Sequence, residues 1–245
     1  MREPFDLTGK TALVTGAGKG IGRACSLILA EYGANVIAVA RTEADLNSLS
    51  KEQTNIEGWV LDVTSEEFLE KIEALDALDV LVNNAGTNRP EAFVNVSTEN
   101  LDAVLDLNVR VAFLVAQASA RVMLRAGGGG SIIHMSSQMA HVGSPERTVY
   151  CMTKHAIEGL TKAMAVELAP NGIRVNSVAP TFTETPMTKP MFEKPEFKAF
   201  VDRMIPLGQV GKPEDVANAV LYLASPAAAM VTGHSLRVDG GWTAQ

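Results

Sequence analysis

Short apolar runs rich in β-branched residues alternate along the chain with longer stretches whose apolar positions recur at helical spacing. The short runs are Thr11–Thr15, Asn35–Ala40, Gly58–Leu61, Val80–Val82, Ser131–Met135, Arg174–Ala179 and Ser235–Val238. Most are apolar at successive positions rather than every second one, as strands covered on both faces must be. Between them, Ile21–Tyr32, Glu43–Lys51, Glu66–Leu75, Leu101–Ala126, Val149–Ala169 and Glu214–Ala224 read as helices. This alternation predicts the α/β class: a single-domain, Rossmann-type, doubly wound parallel sheet with helices on both faces.

Bulk composition narrows the partners. The chain has 245 residues, 47% of them apolar and 20% charged, with a formal net charge of -7. A negative chain offers no electrostatic case for nucleic acid or an anionic membrane surface. No leader is read in the first ten residues and no apolar run is read as bilayer-spanning, so no membrane partner is expected. Cys25 and Cys151 are too few for a disulfide framework, which suggests a reducing, cytoplasmic setting. His134, His141, His155 and His234 stand at no metal-ligand spacing, so no metal site is expected. Gly127–Gly130 reads as a loop within one domain spanning residues 1–245. The stretch 181–204, with Pro186, Pro190 and Pro195 and little strand character, reads as a substrate lid.

Candidate chemistry begins where the first strand runs into Thr15-Gly16-Ala17-Gly18-Lys19-Gly20-Ile21-Gly22 and a helix follows. A glycine-rich strand-to-helix turn sets backbone N–H groups against a pyrophosphate at the positive end of a helix. Residues 1–130 therefore read as the cofactor half. An acid at the end of the second strand would hold a ribose 2′-OH, and a base would accept a 2′-phosphate. The chain has Ala40-Arg41-Thr42 there, with Lys19 as a second cation, a pattern that favours NADP over NAD.

Further along, Asn83-Asn84-Ala85-Gly86, Asn108, Ser137 and Tyr150-x-x-x-Lys154 follow in order. With the glycine turn, these motifs resemble the classical short-chain dehydrogenase/reductase family over essentially the whole chain. Within that family the chain looks most like the reductases and dehydrogenases of sugars, polyols and sugar acids, the L-xylulose reductase type among them. The resemblance implies an oxidoreductase acting on CH–OH groups, with Tyr150 as general acid/base and Lys154 beside it. It implies that Ser137 binds the substrate oxygen and that Asn108 holds a water. It further implies cofactor contacts at Gly16, Gly18, Lys19, Gly20, Ile21, Gly22, Arg41 and Thr42. Asp62 and Val63 are placed near the adenine, Asn83, Asn84, Ala85 and Gly86 along the adenosine, and Pro180, Thr183 and Thr185 near the nicotinamide. The family's usual Pro-Gly is Pro180-Thr181 here, which leaves that turn open. Spacing supports the central pair independently: residues four apart on a helix share a face. A tyrosine of pKa about 10 is a poor base near neutrality, and an adjacent ammonium is expected to lower that value.

Residues 131–245 read as the catalytic and substrate half. Thr87, Asn88, Arg89, Gln138, His141 and Arg147 flank the catalytic set and are rich in donors, which suits a small polyhydroxylated substrate better than an acyl chain. Arg89 and Arg147 are either a carboxylate clamp or surface and interface charges. The alternatives are a 3-oxoacyl-[acyl-carrier-protein] reductase and, from another class, a non-catalytic NADP-binding sensor. The resemblance also implies a homotetramer, with Ala112, Ala116 and Ala120 on one helix and Ala156, Leu160 and Ala163 on another as candidate contact faces.

Overall fold

The computed structural model describes residues 3–245. Seven parallel strands form one sheet: β1 (Thr11–Thr15), β2 (Asn35–Ala40), β3 (Ile56–Val60), β4 (Val80–Asn83), β5 (Gly130–Met135), β6 (Ile173–Pro180) and β7 (Ser235–Val238), in the order β3-β2-β1-β4-β5-β6-β7. The order reverses between β1 and β4, the point at which ligand crevices open in such sheets. Helices α1 (Gly20–Glu31), α2 (Glu43–Glu52) and α3 (Glu66–Glu73) follow the first three strands, and α6 (Thr148–Leu168) and α9 (Pro213–Ala224) complete the layers.

Side-chain alternation divides the core in two. Ala12, Val14, Val36, Ala38, Val80 and Val82 face one layer with α1 and α9. Leu13, Ile37, Val39, Leu81, Ile132 and Val175 face the other, against Phe68, Ile72, Val115 and Met123. The edge strand β3 starts at Ile56, two residues before the expected Gly58, because Ile56 pairs with Val36 while Glu57 faces solvent. A polar residue on the open side of an edge strand hides the start from a hydrophobicity reading.

The expected helix Leu101–Ala126 starts earlier and is not uniform. It comprises α4 (Thr98–Leu105), a π turn over Asp106–Val111, and α5 (Ala112–Ala126). Ser97 Oγ caps it, accepting from the Asn100 N–H at 3.1 Å. By length and composition this run is apolar enough to cross a bilayer, contrary to the sequence reading. It is instead a core helix here: Val115, Ala116, Val122 and Met123 lie in the buried cluster, and Arg110 and Arg121 pair with Asp106 and Glu73 on the outside. Ala112, Ala116 and Ala120 are all buried in the chain's own core, so they are not an assembly face.

The stretch 181–204, expected as a lid, is more ordered than its prolines suggest. It holds α7 (Lys189–Phe192) and α8 (Pro195–Met204), and Thr183 bridges to Gly211. Beneath it Val201, Ile205 and Trp242 form a third cluster with Phe182, Phe192, Phe197 and Phe200.

Candidate active site

A cleft of about 560 Å³ opens beyond the carboxyl ends of the strands. Its walls come from the glycine turn, residues 84–88 after β4, residues 135–139 at the end of β5, Tyr150 and Lys154 on α6, and the lid.

The glycine turn is held by contacts that leave no space for larger residues. Gly20 has φ +56°, and a Cβ on Gly22 would fall 2.3 Å from the Gly16 carbonyl oxygen. Thr15 secures the other side: its buried Oγ1 accepts from the Asn84 and Ala85 N–H groups at 2.9 and 3.0 Å. Asn84 Nδ2 donates to the Thr15 and Gly16 carbonyls. Asn83 is different: its Nδ2 donates to the Ala112 carbonyl at 2.7 Å, so it braces the sheet against α5 and does not line the cofactor side. Thr185 Cγ2 lies 3.1 Å from where a Gly20 Cβ would stand, closing the turn from the lid.

Arg41, Thr42, Asp62 and Val63 lie beyond the enclosed cleft, at the ends of β2 and β3. The sequence shows no acid beside Arg41, but folding brings two carboxylates near these cations. Arg41 Nη1 lies 3.8 Å from Asp62, and Lys19 Nζ lies 3.5 Å from Asp45. Arg41 remains 80% exposed, so its contact with Asp62 is a weak surface pair that leaves the guanidinium able to meet a phosphate. Backbone donation from Thr64 holds the Asp62 carboxyl below its usual pKa, with burial opposing.

At the catalytic end, Lys154 Nζ donates to the Met135 carbonyl at 2.7 Å and stands 5.5 Å from the Tyr150 ring centroid. Burial pushes Lys154 down to about 8, with Glu158 opposing. Burial pushes Tyr150 up to about 12, and hydrogen bonding with Ser137 and the charge of Arg147 oppose it. The expectation that Lys154 lowers the tyrosine therefore fails for the free protein. Desolvation of the phenol dominates, and the ammonium stands 5.5 Å from the ring centroid. Asn108 is held inside the chain through both ends of its amide. Its Oδ1 accepts from Thr87 N–H at 2.8 Å, and its Nδ2 donates to the Thr87 carbonyl and Thr153 Oγ1. A water held there has the remaining Oδ1 lone pair or the backbone for a partner. The π turn that carries Asn108 is a distortion common at functional positions.

The substrate candidates separate. Asn88 and Gln138 line the cleft with Thr87. Arg89 does not: it is exposed and donates to Asn100 Oδ1 at 2.8 Å, drawn outward by α4. His141 turns the other way, with Nε2 3.0 Å from Ser235 Oγ and 3.8 Å from Glu158. Arg147 is only 8% exposed, so it is no surface charge, yet it stands behind the cleft wall and donates to the Glu146 carbonyl. Met135, Met139, Phe182, Met187 and Met191 also line the cleft, making it less polar than the sequence implies. Sequence reasoning missed the roles of Thr15 and Ser136, while Thr181 falls in the stretch already expected near the nicotinamide. The signal for Thr15 was a hydroxyl closing an apolar strand directly before the glycine turn.

A dinucleotide fits these residues. The turn around Gly16, Gly20 and Gly22 has no room for a Cβ at Gly22 and lines the cleft with bare backbone, as a close-lying pyrophosphate needs. Among the described residues no cluster of potential metal ligands exists.

Fold and cleft together fit a dinucleotide-dependent oxidoreductase. Comparison with known proteins agrees. A family model described as enoyl-(acyl carrier protein) reductase matches residues 16–243. The chain is 42% identical to L-xylulose reductase of Bos taurus, covering 97% of this chain and 98% of that one. It is also 42% identical to a 3-oxoacyl-[acyl-carrier-protein] reductase of Thermotoga maritima, over 96% and 98%. A gluconate 5-dehydrogenase from Burkholderia cenocepacia, solved with NADP and tartrate, superposes with a TM-score of 0.93 at 32% identity, over 99% and 98%. The chain belongs to the short-chain dehydrogenase/reductase family, NAD(P)-dependent oxidoreductases acting between CH–OH and carbonyl groups.

Proposed function

We propose that this chain is an NADP(H)-linked oxidoreductase of polyhydroxylated ketones and alcohols: sugars, polyols or sugar acids. The observation that carries the reading is the group of unpartnered polar atoms, Asn88 Oδ1, Ser136 Oγ and Thr181 Oγ1, in the cleft that holds Tyr150. Leaving such atoms unmet costs about 1–3 kcal/mol each, and a substrate with several hydroxyls suits them better than an acyl chain. The glycine turn, Asn84, Ala85, Gly86, Lys154 and the stretch from Pro180 to Thr185 would hold the dinucleotide, with Lys19 and Arg41 toward its 2′-phosphate. When bound, the nicotinamide supplies or accepts the hydride. Tyr150, protonated near neutrality because its phenol is buried, donates a proton to the carbonyl oxygen in reduction. Ser137 hydrogen-bonds that oxygen as charge develops on it. Asn108 and Lys154 connect the site to a proton path. The segment 181–204 acts as a lid on one domain whose cofactor half spans residues 1–130. The free thiols Cys25 and Cys151 suit a reducing cytoplasm. The outer face of α6, with Met152, Ala156, Gly159, Ala163 and Val166, supports assembly as a homotetramer.

The methionines and Phe182 favour one rival, reduction of 3-oxoacyl thioesters. The test is a panel of pentuloses, polyols, aldonates, keto sugar acids and an acetoacetyl thioester, run with both cofactors. The expected result is turnover of a sugar-class carbonyl with NADPH. Tyr150→Phe should cut that turnover by about 10²–10⁴-fold while NADPH still binds. Turnover of the thioester alone would overturn the reading.

A further inference from the structure

One buried carboxylate has no part in this chemistry. Glu158 is 7% exposed on α6, one helical turn beyond Lys154. Ser177 Oγ from β6 lies 2.9 Å from each of its oxygens, and Ser235 Oγ from β7 lies 2.9 Å from Oε1. His141 Nε2 approaches Oε1 to 3.8 Å. A tie between helix and sheet needs no charge, because a glutamine offers the same hydroxyls an acceptor at lower desolvation cost. The buried lysine one helical turn earlier on the same helix is Lys154. The groups that bear on Lys154 are Tyr150 and Glu158 on its own helix and His134 on β5. His134 is neutral near pH 7, its pKa pushed down to about 4 by burial. The π turn offers only the amide of Asn108, and the end of β5 only the Met135 carbonyl.

We propose that Glu158 is a positioning residue that keeps Lys154 an ammonium through the working pH range, clamped by Ser177 and Ser235 as a fixed counter-charge. Its oxygens are outside ion-pair contact with Nζ, so the effect acts through space, which a weakly screened interior allows. Burial alone drives a lysine toward its neutral form, and a neutral Lys154 neither adds positive charge near Tyr150 nor serves a proton path. The proposal rests on the function above only in placing Lys154 in the site.

The test reads the lysine directly. In the whole protein without cofactor, the ¹³Cε resonance of Lys154, assigned by its loss in Lys154→Met, is titrated by NMR. Glu158→Gln should lower its midpoint by about one pH unit, and Glu158→Asp should restore most of the shift. If Glu158→Gln folds poorly, His141→Lys replaces it: a half-exposed ammonium beside Glu158 offsets the carboxylate from the surface and moves Lys154 the same way. In turnover, the alkaline limb of carbonyl reduction should move down with the lysine. An unmoved midpoint in either folded variant overturns the proposal and makes Glu158 a structural tie. A shifted midpoint with no turnover on any carbonyl would sink the proposed function and leave this inference standing.

Discussion

Arg147 stands at the N-terminus of α6 with its Nε buried and unpartnered, and among the described residues it makes no ion pair with a carboxylate. A cation there opposes the helix dipole, so an anion is needed to favour it. The adjacent Glu146 carboxylate is one such anion, and the phenolate of Tyr150 three residues on, whose pKa the arginine lowers, is another. Oxidation draws on that phenolate, whereas reduction uses the protonated phenol. Arg147→Met should therefore cut kcat for alcohol oxidation by about tenfold, the equivalent of one pKa unit, and leave reduction nearly unchanged. Acidic and neutral substrates should suffer alike. A loss confined to acidic substrates in both directions would show instead that the guanidinium reaches a carboxylate in the cleft. Legibility at this scale follows from how local the determinants are. The pairing of Tyr150 with Lys154 depends only on helical spacing and is readable. The directions taken by Arg89, His141 and Arg147 depend on Asn100, Ser235 and Glu146, partners that no spacing rule identifies.

Among the elements, the β1–α1 turn is the most constrained. Gly22→Ala would put a methyl against the Gly16 backbone oxygen, so the turn has to open. A loss of about 1–3 kcal/mol in stability is expected for such overpacking, along with at least tenfold weaker NADPH binding. Thermal unfolding and a fluorescence titration of NADPH check both. Strands and long helices were readable because both faces of the sheet are covered, which leaves unbroken apolar runs. The π turn at Asn108 was not, since a local change of hydrogen-bond register leaves no trace in hydrophobic periodicity. The order within residues 181–204 was hidden for a similar reason: Pro190 and Pro195 stand at the starts of short helices, where they are tolerated, and the aromatics pack on residues far along the chain.

The whole molecule exposes apolar surface unevenly. On α6, Met152 is 47% and Val166 81% exposed, and Phe113 and Leu124 on α5 are 45% and 41% exposed. Phe93, Val94, Leu207 and Met230 are exposed elsewhere, but four apolar groups on two long helices suit a contact face. Sedimentation at micromolar concentration should give a tetramer, and Val166→Glu should shift it toward smaller species while the monomer stays folded. The aromatic cluster beneath the lid has a different kind of consequence. The chain has two tryptophans, and they stand at opposite ends of the sheet order. Trp59 lies on the edge strand β3 under Lys71, while Trp242 packs against Phe182 and Phe200, with ring centroids 5.7 and 5.8 Å away. Replacing Trp59 with phenylalanine therefore leaves a single tryptophan packed against residues 182 and 200, whose emission, excited apart from the tyrosines, would report any movement of that segment without an attached dye.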